Sequence, residues 1–311
     1  MPTKPIYAIN NPEILLKRIQ TSFPQLTWLE YQYINHGWDH EIIILDKKLV
    51  FRFPNSQEYL TAFKDETHLL SFLNGKTKIR IPNYLYIAKD YSFGGYLMIQ
   101  GTELTEPLFD ALTSSDKTII AKQIAQFLSD LHTISKEEIE HYHISLEKPF
   151  DGYAGLEKDS EIYLKTRLTP LEYDSMRKVF SDIAQIEMQN KVSVLTHGDF
   201  SPRHIIWNAT TKQIGIIDFS DRSFADQSID FAELYSYGSH FVEQIYNCYT
   251  GPKDPEFLER VRLYQKRVGI FFLVDSFRTK KIDYKEAKKF SIKPSNSNFF
   301  TVPLSERLRF F

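Results

Sequence analysis

VSVLTHGDFSPRHIIW, residues 192–207, followed by IGIIDFS, residues 214–220, is the stretch that decides the fold. Its apolar runs VSVLT, HIIW and IGIID are too short for buried helices and are flanked by turn residues, so they read as strands presenting loops. A loop on such a rigid base can hold polar side chains in place. Asp199 lies in the first loop, His204 follows at its end, and Asp218 closes the last strand. Phosphoryl transfer needs a hydroxyl to be oriented, its proton to be received and Mg²⁺ to be held across nucleotide phosphates. One free and one metal-bound carboxylate meet that need, and Asp199 and Asp218 can divide the two jobs.

Outward from this stretch the chain changes character once. Toward the N-terminus, Asn11-Pro12 reads as a cap and first-turn proline opening a helix with Ile14, Leu15 and Ile19 on its inner face, ended by Phe23-Pro24. Alternation from Leu29 to Tyr33, then EIIIL and LVFRF across an Asp46-Lys47-Lys48 turn, predicts a meander of strands. Glu58 to Leu73 reads as a helix, and YLYIA and GYLMIQ as two further strands. After Gly101, Ile120, Ile124, Phe127, Leu128 and Leu131 recur with helical period, and most of the remainder is helical around the small β insert. The predicted fold class is therefore α+β, with an antiparallel-sheet lobe over residues 1–100 and a larger, mainly helical lobe over residues 101–311.

Composition excludes several alternatives. With 42% hydrophobic and 25% charged residues, the 311-residue chain is globular in type and exceeds the roughly 100–200 residues of a common single domain. A net charge of −2 gives no global basic field, so nucleic acid is not an expected partner. The single cysteine, Cys248, precludes an internal disulfide framework and a Cys-rich zinc site. No apolar signal region opens the chain and no stretch approaches the roughly 20 apolar residues of a membrane span. The expectation is a cytoplasmic monomer with small-molecule partners and no membrane contact.

HGD-x-x-x-x-H followed by DFS keeps the first spacing of the protein-kinase pattern HRD-x-x-x-x-N with DFG. HGDFSPRHIIW and IIDFSD resemble the catalytic and metal-binding loops of the aminoglycoside phosphotransferase and choline kinase-like group, within the protein-kinase-like fold. Asp226 to Phe231 resembles that group's D-P-x-x-D-[LF] segment. His204, where most relatives carry asparagine, is similar to the 2″-aminoglycoside phosphotransferase branch. The resemblance extends from Glu30 to Leu234 and takes in Asn35 to Glu41 as a nucleotide loop.

The resemblance implies a nucleotide, ATP or GTP, held between the lobes. It gives Arg52 the phosphate-contacting lysine position, Glu66 the role of its ion-pair partner, and Tyr96, Met98 and Ile99 the hinge that receives the purine. Asp218 would hold Mg²⁺ with His204, directly or through a water, and Asp199 would accept or orient the hydroxyl proton. Bulky Tyr96 points toward GTP. A neutral imidazole is a less usual magnesium ligand than an oxygen donor, and arginine is not equivalent to lysine.

For the acceptor, the segment from Asp230 onward offers Asp230, Glu233, Tyr235 and Tyr237 as candidate contacts. Carboxylates suit a polycationic aminoglycoside, whereas the tyrosines suit an ammonium or a sugar ring. Glu243, Asp254, Glu256, Glu259 and Asp275 are further possible carboxylates. Aminoglycoside O-phosphotransferase ranks first, a kinase of another amino alcohol, sugar or antibiotic second, and a nucleotide-binding pseudokinase third. His197 and Asp230 also read as braces of the catalytic loop, and His36 and His40 as loop residues rather than metal ligands. Gly75-Lys76-Thr77 reads as a surface turn, and the basic run from Arg278 to Lys289 as a solvated helix face.

Overall fold

The structure is a computed structural model that describes residues 9–35, 39–142, 144, 154–189, 192–278 and 283–292. Helix α1 (Pro12–Ser22) begins where the Asn11 side chain accepts the Glu13 amide at 3.0 Å, and Pro12 occupies its first turn. Strands β1 (Tyr31–Ile34), β2 (His40–Leu45) and β3 (Leu49–Pro54) follow as the expected meander. Helix α2 (Gln57–Leu73) is capped by Ser56, and β4 (Tyr84–Ile87) and β5 (Gly94–Leu97) complete a five-stranded antiparallel sheet of order β1-β2-β3-β5-β4.

Beyond it come β6 (Thr102–Glu103), α3 (Glu106–Ala111), α4 (Ser114–His132), α5 (Lys136–His141), α6 (Ala154–Leu164) and α7 (Pro170–Gln189). The β insert comprises β7 (Val194–Thr196), β8 (Ile205–Asn208), β9 (Gln213–Ile216) and β10 (Ser223–Ala225). Its strands do not form one sheet: β8 pairs with β6 and β9, while β7 pairs with β10. Helices α8 (Ser239–Cys248), α9 (Phe257–Arg278) and α10 (Tyr284–Ser291) follow two short 3₁₀ turns. Among the described residues no helix is long and apolar enough to cross a membrane.

The apolar face of α1 packs Leu15, Leu16 and Ile19 on Phe51, Phe53 and Phe93 of the sheet side. The largest core crosses the boundary near residue 100: Leu69, Leu70, Leu73 and Ile81 pack with Ile120, Ile124 and Leu128 of α4 and with Phe200 and Phe219. The main chain crosses there as well, because the Ile216 amide donates to the Arg80 carbonyl at 2.8 Å. Thus α2 is anchored to the helical part at its C-terminal end while its middle reaches the sheet. Burial of these side chains at roughly 1.5–3 kcal/mol each makes that seat firm.

Candidate active site

The loop after β7 carries Asp199 and the turn after β9 carries Asp218, and the fold brings both carboxylates to His204, at 3.4 and 3.6 Å. Gly198 precedes Asp199 with φ 87°, a conformation that favours glycine, and a Cβ there would overlap the Asp221 carbonyl. The two loops therefore touch at the main chain. Asp218 itself has φ 65°, in the left-handed region that aspartate tolerates better than most residues.

Arg52 on β3 joins the parts. Its Nη1 donates to Glu66 Oε1 at 2.5 Å and lies 3.5 Å from the Tyr84 hydroxyl, while Nη2 reaches Asp218 Oδ1 and Ser220 Oγ, each at 3.2 Å. The same Nη2 lies 3.2 Å from His40 Nδ1. Burial opposes the charge of Arg52, but Glu66, Tyr84 and Asp218 outweigh it and hold the guanidinium pKa above its ordinary value. At Glu66 burial prevails and raises the carboxyl pKa despite Arg52 and Arg222. Both terminal nitrogens of Arg52 are thus committed to protein acceptors. The phosphate contact implied for Arg52 requires a nucleotide to displace Asp218 or Ser220 from it.

Asp218 is the opposite case. Desolvation disfavours its charge, yet Arg52, His204 and the Ser220 hydroxyl, which donates at 2.7 Å, hold its carboxyl well below the usual carboxylate range. It is ionised, and its side chain is 39% exposed. His204 Nδ1 donates to the Asp199 main-chain carbonyl at 2.7 Å, and its Nε2 faces Asp218 Oδ2 at 3.6 Å. Burial works against protonation of His204, but the carboxylates of Asp199 and Asp218 raise its pKa. Asp199 lies with its side chain 38% exposed, and its pKa is raised by desolvation and by Glu233, Asp221 and Asp218, against His204.

These residues fit a magnesium ion of the kind that spans nucleotide phosphates. Among the described residues no group of three or more His, Cys, Asp and Glu is arranged to hold a metal alone. Mg²⁺ in phosphoryl-transfer sites takes one or two protein carboxylates and completes its shell with phosphate oxygens and water. Ionised Asp218 supplies such a carboxylate, and His204 Nε2 stands beside it, able to ligate or to hold a water once it has lost its proton.

The other expected residues are placed as follows. Asp230 is fully buried, accepts from the amides of His197 at 2.8 Å and Gly198 at 2.9 Å, and lies 3.0 Å from His132 Nε2. It braces the loop that carries Asp199 and, at 0% exposure, presents no surface to an acceptor. Tyr235 and Tyr237 are also removed from the acceptor set: both belong to the apolar core, the Tyr237 ring lies tilted against Phe109 and edge-on to Phe241, and its hydroxyl donates to the Leu104 carbonyl at 2.5 Å. The aromatic ring drives each tyrosine into the helical core, where spacing in sequence gave no warning. Glu233 alone of that group is half-buried and near Asp199 and His204. Asp254 is engaged by Arg260 at 2.7 Å and Asp275 is buried, so neither faces an acceptor.

At the hinge, Tyr96 is buried with its ring edge-on to Tyr84 at 5.2 Å, and burial first of all pushes its pKa up to about 12. The Met98 amide already donates to the Lys48 carbonyl at 2.7 Å, so it does not offer itself to a purine. Ile99 packs against β9, where Gly215 leaves room that a Cβ would close. His40 is no loop residue: it lies in β2, buried against Arg52 and Phe63. Of the nucleotide loop, His36, Gly37 and Trp38 fall outside the described residues, as do Lys280 and Lys281 of the basic run. Ser220 and Asp221 fall inside the IIDFSD stretch, whereas Tyr84 and Arg222, which also reach this cluster, were passed over by motif reading. Arg222 follows that stretch directly, and that adjacency was the available signal.

Comparison with known proteins bears on this geometry. A family model described as the phosphotransferase enzyme family, APH, matches residues 30–261. The GDP and kanamycin complex of APH(2″)-IIIa is similar at 24% identity with a TM-score of 0.79, covering 89% of this chain and 96% of that one. The GDP complex of wild-type aminoglycoside 2′-phosphotransferase-IIIa is similar at 25% identity and TM-score 0.78, covering 90% and 96%. A macrolide 2′-phosphotransferase type I shares the fold at 15% identity and TM-score 0.65, again covering 90% and 96%.

Proposed function

The chain belongs to the phosphotransferase enzyme family, of protein-kinase-like fold, and from that premise we propose that it is an aminoglycoside O-phosphotransferase using Mg-GTP in preference to Mg-ATP. The observation that carries the acceptor is the acidic setting of Asp199. Its carboxylate opens to the cleft among Glu233, Asp221 and Asp218, while Arg52 is committed to its buried partners. An acceptor bearing ammonium groups beside its hydroxyl gains attraction from these carboxylates that a neutral acceptor does not. Buried Tyr96, whose ring packs edge-on to Tyr84, is what supports GTP, since the similar proteins include complexes with GDP and others with ADP or ATP.

In this reading residues 1–100 and 101–311 form two lobes with the nucleotide between them. Asp199 orients the acceptor hydroxyl and takes its proton as the oxygen bonds to the γ-phosphorus, and the bond from that phosphorus to the bridging oxygen breaks to release the nucleoside diphosphate. Desolvation by the cleft makes Asp199 a better proton acceptor than an ordinary carboxylate. Asp218 and His204 would hold Mg²⁺, which supplies charge neutralisation across the phosphates. Glu233 positions the ammonium of the acceptor.

The test is nucleoside diphosphate release from GTP and ATP over kanamycin, other aminoglycosides, a macrolide, choline and small sugars, beside Asp199→Ala and Glu233→Gln. Aminoglycoside-stimulated release, abolished in Asp199→Ala and shifted to higher acceptor KM in Glu233→Gln, is expected. Stimulation by another acceptor class alone overturns the aminoglycoside assignment, and equal KM for the two nucleotides overturns the GTP preference.

A further inference from the structure

Arg222 lies just past the metal-loop carboxylate and is 7% exposed. Its Nη1 donates to the Phe219 carbonyl at 2.9 Å, and its Nη2 donates to the Ala62 carbonyl of α2 at 3.0 Å. Both attachment points are significant. Phe219 adjoins Asp218, and in an α-helix the Ala62 carbonyl is the acceptor for the amide four residues on, that of Glu66. The guanidinium therefore ties the main chain at one end of the Glu66–Arg52–Asp218 chain to the main chain at the other. Burial first of all, and the Arg52 charge with it, lowers the Arg222 pKa, while Glu66 and Asp65 offset part of that cost and the two carbonyls accept from its planar fork.

The turn that carries Arg222 is also held on its other side, where the Asp221 carbonyl packs on Gly198 beside the catalytic Asp199. Movement of α2 away from the cleft would break the Nη2 contact, pull on the Phe219 turn and disturb both loops together. Leu69, Leu70 and Leu73 fix the C-terminal end of α2 in the core, but Ala62 lies in its N-terminal half and Glu66 at its middle. From the geometry we propose that Arg222 is a positioning residue that docks the N-terminal half of α2 on the metal loop. It thereby keeps the Glu66–Arg52–Asp218 chain assembled before nucleotide binds.

The proposal rests on the phosphotransferase reading only for its nucleotide arm. Hydrogen exchange of the full-length protein without ligand, in Arg222→Met and Arg222→Lys, reads the docking directly, and titration with GDP and GTP together with steady-state kinetics reads its consequence. Arg222→Met should exchange faster in the first half of α2 with α4 and α9 unchanged, should bind nucleotide roughly 3- to 30-fold more weakly, and should lower kcat as well because both loops are disturbed. Arg222→Lys, which keeps the charge and can reach one carbonyl, should recover part of both effects. Parental exchange in α2 overturns the proposal, as does equal loss of protection throughout the protein, which would mark a general packing role. If Arg222→Met does not fold, Arg222→Lys is judged by the same criteria against the parent. If the parent itself binds no nucleotide, the functional reading fails while the exchange data still decide the docking.

Discussion

Arg52 Nη1 lies 2.5 Å from Glu66 Oε1, with side-chain exposures of only 6% and 2%. A charge pair so enclosed is unforgiving of losing one member, because the survivor keeps its desolvation cost. Asp218 retains part of the compensation at 3.2 Å.

Glu66→Gln is therefore expected to destabilise the protein by about 3 kcal/mol, the lower end of the range for breaking a buried pair. Urea unfolding of parent and variant at pH 7 checks this; a change under about 0.5 kcal/mol, typical of surface substitutions, would show that the pair is not closed to water.

His204→Asn is expected to lower the Mg²⁺ concentration needed for half-maximal activity severalfold, since a carboxamide oxygen suits magnesium and carries no proton to lose. The carboxylates that raise the His204 pKa keep it protonated to higher pH, so the parent's Mg²⁺ requirement should fall as pH rises. Magnesium titrations at pH 6.5 and pH 8 separate the two proteins, and parallel behaviour would remove His204 from the metal shell.

Asp230→Asn replaces an acceptor of two loop amides with a group that presents a donor to one of them. A loss of about 3 kcal/mol in stability is expected, with acceptor KM unchanged in the folded fraction. Should acceptor KM rise with stability intact, Asp230 would be a substrate contact after all.

His197 is fully buried and its pKa is lowered to about 4, by desolvation first and by the nearby His204. Its Nε2 donates to the Ile217 carbonyl at 3.1 Å, which holds the neutral tautomer. The unfolded chain therefore binds a proton at higher pH than the folded one. The resulting stability is fully present above the unfolded value near 6.5 and is lost as pH falls toward 4, at roughly 1.4 kcal/mol per pH unit in that window. Unfolding free energies at pH 7 and pH 5 should show a loss of about 2 kcal/mol more in the parent than in His197→Asn. The same pH slope in both would assign the acid sensitivity elsewhere.

Local chemistry wrote much of this protein into its sequence. Period-2 and period-3.6 patterns located the sheet strands, α2 and α4, because backbone geometry repeats within a few residues. HGD and IDF marked the two loops because carboxylates at strand ends are arranged in short, ordered segments. Tertiary structure decided what each polar group faces. Tyr235 and Tyr237 entered the core while Glu233, in the same segment, stayed near Asp199, a distinction set by how the 3₁₀ turns pack on α3 and α8. Arg52 became a buried, multiply bonded guanidinium because His40, Glu66, Tyr84 and the Asp218–Ser220 turn arrive from four separate segments. Arg222 found α2 across 160 residues of chain. Contacts of that separation depend on the packed arrangement of distant elements, which no local pattern encodes.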